Sequence, residues 1–352
     1  MMAAAHWRNR RAMRKTEISS VIAAAAFALL PAAASAVSVA DFYKGKTVSL
    51  YIGFSAGGTY DLYGRVVARH IGKHIPGNPT VVPRNMEGAG SIRLTNFMYN
   101  SAPKDGTALA TMGRGGAFGP LFGMKGAQFD AQRFIWLGSA NDEVSLCASW
   151  HLSPVKSFDD LRQRELIIAA TGPGDESQTV PKLLNAVLGS KFKVIGGYPG
   201  SNEMTISIER NETQGRCAFS WASMKSVHRQ WLDEKKLNIL VQLSYQKHPE
   251  LAHVPLAGDL AKTAEEKQMI NMLAARQVMG RPFFTTPDVP ADRTAALRKA
   301  FLDVLADPEF LAEAEKLKLE ITPVSGERVQ GIVRDIYATP RAVVDQVAEF
   351  VK

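Results

Sequence analysis

Residues 47–75 read TVSLYIGFSAGGTYDLYGRVVARHIGKHI, and this stretch decides the fold class. Thr47–Ile52 is an apolar run with the length of a buried strand. Gly53-Phe54-Ser55-Ala56-Gly57-Gly58 is a turn of mostly small residues. From about Tyr60 the period changes. Tyr63, Val67, Ile71 and Ile75 recur every four residues, an apolar stripe along one face of a helix that runs to Ile75. A strand that passes through glycines straight into an amphipathic helix is the opening unit of an α/β layer fold.

The unit recurs outward from there. Thr80–Pro83 reads as a second strand, and Asn85-Met86-Glu87-Gly88-Ala89-Gly90 opens another helix. Ala108–Met112 is a third strand, ending at Gly113-Arg114-Gly115-Gly116. In the middle third, Val144–Ala148 is a strand and Ser157–Gln163 a short helix begun by a Ser-x-x-Asp capping box. Leu166–Ala170 runs into Thr171-Gly172-Pro173-Gly174 and a helix around Pro181–Leu188. Phe192–Ile195, Arg216–Ser220 and Asn238–Leu243 are further strands, with a helix from about Asn202 to Arg210. The last third is mostly helical: Ala264–Arg276, Pro290–Leu305, Pro308–Leu317 and Glu327–Ile336.

Glycines gather at the carboxyl ends of strands, just before helices, at Gly53–Thr59, Asn85–Ser91 and Thr171–Ser177. Small residues let a ligand approach the backbone, while free N–H groups and the helix dipole favour an anion. In open α/β sheets ligands sit at strand carboxyl ends. Three such turns in two halves of a chain point to a site between lobes; ordinary left-handed turns and helix starts are the plainer alternative.

The chain has 352 residues, 42 Lys and Arg against 34 Asp and Glu, a formal net charge of +8 and two cysteines. That length accommodates two domains, and two cysteines exclude a four-cysteine zinc site. Half of the charge belongs to the N-terminus. Arg8, Arg10, Arg11, Arg14 and Lys15 precede an apolar run, Val21–Leu30, and the small-residue stretch ending Ala34-Ser35-Ala36. This reads as a Sec-type export signal over residues 1–36, too short in its apolar run to span a bilayer; Met13 offers an alternative start. Residues 1–36 hold five of the basic residues and one acid, so cleavage after Ala36 leaves +4. The mature chain has no basic run interleaved with aromatics, which removes the main support for nucleic-acid binding. It also has no long apolar stretch. A soluble, exported, monomeric protein is expected.

Two motifs suggest other chemistry. Gly53-Phe54-Ser55-Ala56-Gly57 matches the G-x-S-x-G nucleophile elbow of hydrolases, with Ser55 as nucleophile. It follows the first mature strand, however, so no upstream strand could donate the usual oxyanion N–H, and no acid/base pair accompanies it. His70 and His74 stand one helical turn apart, a spacing open to metal, but the zincin glutamate is absent and a solvated pair is the plainer reading. Metal and cofactor are both expected to be none: no phosphate-loop lysine and no three-glycine dinucleotide spacing appear. Cys147 and Cys217 both fall on expected strands. In an oxidising compartment they read either as a disulfide or as two buried thiols.

The order of these motifs resembles a known family. Strand–S-A-G-G-T-Y-D–helix, then V-V-P-R-N-M-E-G-A-G-S, then A-P-K-D-G-T-A-L, is similar to the Bug/TctC family, the extracytoplasmic solute receptors of tripartite tricarboxylate transporters. Gly197-Tyr198-Pro199-Gly200, His253-Val254-Pro255-Leu256 and Gly280–Pro290 extend the resemblance, which covers roughly residues 41–340. It implies a type II periplasmic-binding-protein fold: two α/β lobes joined by crossover strands, with a ligand cleft between them. Lobe 1 would comprise residues 37–140 and 247–352, and lobe 2 residues 141–246. The implied function is capture of a small carboxylate and its delivery to membrane permease subunits or, alternatively, to a signalling partner.

The resemblance implies a ligand held through main-chain N–H groups and bridging waters rather than by an arginine clamp. The matching positions are Phe54, Ser55, Gly57, Gly58, Thr59 and Asp61 in the first loop, and Asn85, Gly88, Ala89 and Gly90 in the second. Thr171, Gly172, Pro173 and Gly174 match in the other lobe, and Tyr198 and Trp221 are expected as walls. Asp61 is expected either to meet a ligand amino or hydroxyl group or to stabilise the first helical turn. The sequence departs from the family pattern at Ser55 and Glu87, each in place of proline, and at Ser91, in place of glycine. Glu87 beside an anion site costs affinity unless it points outward. Arg114 would answer a second ligand carboxylate, or else be an exposed arginine paired with a surface acid.

Overall fold

The computed structural model describes residues 37–173 and 175–351; the expected export signal over residues 1–36, with the choice between Met1 and Met13, lies outside them, as does Gly174. Contacts divide the chain after Ser38, and both sheets belong to the unit that begins at Val39.

In chain order the first part runs α1 (Val39–Tyr43), β1 (Thr47–Ile52), α2 (Thr59–Ile71), β2 (Thr80–Asn85), α3 (Ile92–Asn100), β3 (Ala108–Thr111) and β4 (Ile135–Ser139). The chain then crosses over to β5 (Ser145–Trp150), α4 (Phe158–Gln163), β6 (Leu166–Ala169), α5 (Glu176–Leu188), β7 (Phe192–Ile195) and α6 (Ser201–Glu209). It continues through β8 (Gly215–Ser220), α7 (Trp221–Ser226), α8 (Arg229–Asp233) and β9 (Leu237–Leu243). It returns through α9 (Ala264–Ala274), β10 (Pro282–Thr285), α10 (Ala291–Ala306), α11 (Pro308–Lys316), β11 (Val324–Ser325), α12 (Gly326–Tyr337) and α13 (Arg341–Val351). Two sheets result, of order β11-β4-β10-β3-β1-β2 and β7-β6-β8-β5-β9.

The opening stretch folds as its pattern dictates. All four residues of the four-residue repeat, Tyr63, Val67, Ile71 and Ile75, are buried; each such burial is worth roughly 1.5–3 kcal/mol before entropy is charged. The α-helix ends at Ile71, and a 3₁₀ turn over Gly72–His74 carries the chain on to Ile75. Gly64 lets α2 lie close on the sheet: a Cβ there would meet the Ile52 side chain at 2.8 Å. The expected capping box is present, with Ser157 accepting from the Asp160 N–H at 3.1 Å.

In the first sheet β1 runs parallel to both β2 and β3, which lie on either side of it. The chain thus leaves β1 toward one neighbour and reaches the other later, the switch in strand order at which α/β sheets bind ligands. β10 lies antiparallel between β3 and β4, and β11 closes that edge antiparallel to β4. In the second sheet β6 is parallel to β7, and meets β8 in parallel at Ile168 and Gly215; β5 is antiparallel to β8 and β9.

Two segments cross between the sheets side by side. Ala140 N–H donates to Arg281 O, Gly280 N–H to Asn141 O and Glu143 N–H to Gln277 O, each at 3.0 Å. The final helix also spans both halves: Val344, Val347 and Ala348 of α13 share a core with Leu183, Leu184 and Leu188 of α5. Cys147 on β5 and Cys217 on β8 are joined by a disulfide. Among the described residues no helix is long and apolar enough to cross a membrane.

Candidate functional site

The glycine-rich turn after β1 is built by a small polar network. Asp61, in the first turn of α2, accepts from the Gly57 N–H at 3.0 Å, from Asn85 Nδ2 at 2.8 Å and from Arg65 Nε at 2.9 Å. Asn85 Nδ2 also donates to Phe54 O at 2.9 Å. Burial works to raise the Asp61 pKa, but the hydrogen bonds from Arg65, Asn85 and Gly57 prevail and hold it below the usual carboxylate range. Asp61 and Asn85 therefore stand behind the turn and fix its shape.

The second loop carries four consecutive residues of positive φ: Gly88 (135°), Ala89 (48°), Gly90 (63°) and Ser91 (74°). For Ala89 and Ser91 this conformation is costly, by roughly 1–2 kcal/mol each. Ser91 recovers part of that cost, since its buried Oγ accepts the Gly113 N–H at 3.1 Å. The hydroxyl explains how serine is accommodated where the resembling family carries glycine. Glu87 is exposed and does not line the cavity.

Both loops press against the other half of the molecule. Thr59 N–H donates to Ser201 Oγ at 3.3 Å, and Ser55 Oγ donates to Glu203 Oε2 at 2.9 Å. The Ser55 hydroxyl thus pairs with a carboxylate on α6, not with an imidazole, and the elbow reading gains no partner. A Cβ on Gly58 would meet Ser201 Oγ at 2.6 Å, one on Gly90 the Asp175 Cβ at 2.7 Å, and one on Gly172 the Ala89 carbonyl carbon at 2.4 Å. Glycine at these positions is what allows the two halves to close.

Behind this seam lies a cavity of about 50 Å³, lined from both sheets. Of the expected residues, Phe54, Thr59, Arg114 and Thr171 line it. Ser55, Gly57, Gly58, Ala89, Gly90 and Gly172 lie along the seam, Gly57 facing Asn202. Gly88 packs on Arg93, and Pro173 is exposed. Tyr198 is half-buried and does not line the cavity, and Trp221 heads α7 with its indole N–H donating to Glu250.

The cavity has three arginines among its walls: Arg114, Arg216 and Arg281. Arg114 corrects the expectation of an exposed arginine paired with a surface acid: it is 3% exposed and bonded to buried Glu176, the first residue of α5. Burial works against its charge, but Glu176, Tyr60 and Glu143 raise its pKa above the ordinary value. Arg281 meets Glu143 at 3.3 Å and donates to Ser223 Oγ at 3.1 Å. Arg216 differs. Among the described residues its Nη1 and Nη2 reach only the carbonyls of Ser201 and Ala218, each at 3.4 Å; its Nε, like that of Arg281, has no hydrogen-bond partner, but unlike Arg281 it meets no carboxylate. Burial pulls its pKa down to about 10, so it remains a cation at neutral pH.

Sequence reasoning passed over Arg216 and Arg281. The available signal was an arginine inside an apolar strand, Gly215-Arg216-Cys217-Ala218-Phe219, where a charge is not placed without cause. The His70 and His74 pair lies elsewhere, bonded to Glu313 at 2.7 Å and Asp307 at 2.8 Å. Asp307 also holds Lys73 at 2.6 Å, so a cation already occupies that cluster.

No family model matches the chain. A curated relative, the UPF0065 protein in the gbd 5' region of Cupriavidus necator, is 42% identical over 89 residues, a match spanning 25% of this chain and 26% of the relative. Among solved structures, the periplasmic binding protein BugD superposes with a TM-score of 0.67 at 19% identity, over 87% of this chain and 97% of its own. MatC from Rhodopseudomonas palustris, with bound malate, gives 0.68 at 17% identity, over 86% and 99%. The chain has the two-lobed type II periplasmic-binding-protein fold of the Bug/TctC solute-binding proteins, the family that its loop motifs resemble.

Proposed function

We propose that the chain is a periplasmic solute receptor that closes its two lobes on a small organic carboxylate, catalyses nothing, and passes the ligand to membrane permease subunits. The observation that carries this reading is the arginine-lined cavity between the two sheets, sealed by glycines on both sides of the seam. The malate held by MatC supports a carboxylate as the ligand class. In this reading residues 1–36 direct export and the mature chain acts as a monomer. Lobe 1 is residues 37–140 and 247–352, and lobe 2 is residues 141–246, with α13 reaching across onto α5.

A ligand that touches both lobes favours the closed state only by its differential affinity for that state. A micromolar complex needs about −8 kcal/mol net, within reach of a few charge-assisted hydrogen bonds and one buried face. A thermal-shift screen of mono- and dicarboxylates tests the reading. Stabilisation by at least one of them is the expected result, and none by any would end it.

A further inference from the structure

The three cavity arginines are not equivalent. Arg114 is committed to Glu176, and Arg281 to Glu143. Among the described residues no carboxylate lies within ion-pair distance of Arg216, although the residue is only 6% exposed. Asp175, in the cavity wall, supports the Arg216 charge only from beyond ion-pair distance, while its Oδ1 caps α5 by accepting from the Ser177 N–H at 2.9 Å. A buried guanidinium with an unpartnered Nε and two long bonds to carbonyls is an unsatisfied cation, and such groups are rare unless something completes them.

The surroundings define what would complete it. The guanidinium carbon sits 4.3 Å from the centre of the Phe219 ring, which fixes the fork in one plane. Phe54, stacked on Tyr60 at 4.7 Å between ring centres, and Met204 give the cavity an apolar wall. A second ligand carboxylate would face Asp175 and Glu176 with the remaining cations already neutralised.

We infer that Arg216 is the receptor for the ligand's single carboxylate, through its Nε edge, and that the ligand is a small monocarboxylate with an uncharged remainder. This inference rests on the proposed capture of a carboxylate and sharpens it, since the malate of MatC carries two such groups.

Titration calorimetry on the purified protein tests it, using propionate, butyrate and benzoate against succinate, malate and adipate, with propionamide and alanine as controls. The expected result is that the best monocarboxylate binds about tenfold or more tightly than any dicarboxylate, and that propionamide, lacking the charge, does not bind detectably. Arg216→Lys should weaken binding about tenfold, because an ammonium keeps the charge and loses the planar fork, and Arg216→Met should abolish it. If Arg216→Met fails to fold, the carboxylate-to-amide and mono-to-dicarboxylate ratios of the unaltered protein decide alone. A dicarboxylate or alanine as the tightest ligand, or unchanged affinity in a folded Arg216→Met protein, overturns the inference. Each of these results leaves carboxylate capture standing, since alanine too carries a carboxylate; binding of no carboxylate at all overturns both.

Discussion

Arg216 and Phe219 lie three residues apart on β8 and yet share a face, the guanidinium carbon 4.3 Å from the ring centre. In a regular strand residues three apart point to opposite sides. Here the β5–β8 register shifts between Leu146 and Ala148, and Ala218 adopts φ +56°, so the strand carries a bulge that turns both side chains the same way. Bulges of this kind re-aim side chains beside binding sites, and the left-handed alanine is a local strain that the surrounding sheet sustains.

Phe219→Leu keeps most of the apolar volume and removes the ring. A desolvated cation over an aromatic face is worth about 0.5–2 kcal/mol, so carboxylate affinity should fall about two- to thirtyfold. Stability in urea should fall by about 1–3 kcal/mol, since Phe219 is 1% exposed. Calorimetry and urea unfolding read the two effects separately. Wild-type affinity in the variant would mean that the ring does not orient the guanidinium.

The disulfide sits at the same bulge, because Cys217 lies between Arg216 and Ala218 and Cys147 marks the register shift on β5. A Cys147→Ser/Cys217→Ser protein should lose roughly 3–5 kcal/mol of stability, from the loop entropy of a 70-residue separation. It should also bind carboxylate more weakly than its folded fraction explains, since the strand is free to slip back into regular register. Urea unfolding with calorimetry at a temperature where the variant is fully folded separates these effects. Equal affinity in the folded variant would show that the bulge holds without the bond.

Much of this was legible in the sequence. The stripe from Tyr63 to Ile75 and the Ser157 capping box are local patterns, and local patterns survive folding. Strand β4, Ile135–Ser139, was not legible: buried almost throughout, it shows no alternation, and Gly138 interrupts it at φ +151°. Helix α13 was passed over although Thr339-Pro340, a pair of the kind that opens helices, directly precedes it. For the cleft, the glycine turns were readable because the backbone demands them. Arg216 was visible as a charge inside an apolar strand, but what sets it apart shows only in the fold, where Glu176 and Glu143 have taken the other two arginines.

Gly172 tests closure. A Cβ there would lie 2.4–2.6 Å from the Ala89 backbone and the Gly90 nitrogen, groups that cannot rotate away. Gly172→Val should therefore hold the halves apart without disturbing either sheet. Carboxylate affinity should fall about tenfold or more, with an unchanged far-ultraviolet spectrum and a larger radius of gyration in small-angle scattering. Tight binding at an unchanged radius would mean that the contact between Gly172 and Ala89 is not part of the closed state.

His228 supplies the pH signature of the cleft. It lines the cavity, stacked on Trp231 at 4.8 Å and edge-on to Phe219 at 5.3 Å. Burial, and then the nearby charge of Arg216, pull its pKa from 6.5 down to about 3. The unfolded chain therefore binds a proton that the folded chain refuses across that interval. The stabilising contribution is complete above about pH 6.5 and is lost as pH falls toward 3, by up to about 1.4 kcal/mol per pH unit. His228→Phe keeps an aromatic ring against Trp231 and removes the titration. The stability difference between wild type and variant should be flat above pH 7 and move by about 2 kcal/mol against wild type between pH 6 and 4.5. Carboxylates titrating in that range do so in both proteins and cancel in the difference. Urea unfolding at half-unit pH intervals measures it, and parallel pH profiles for the two proteins would show that the imidazole protonates freely in the folded state.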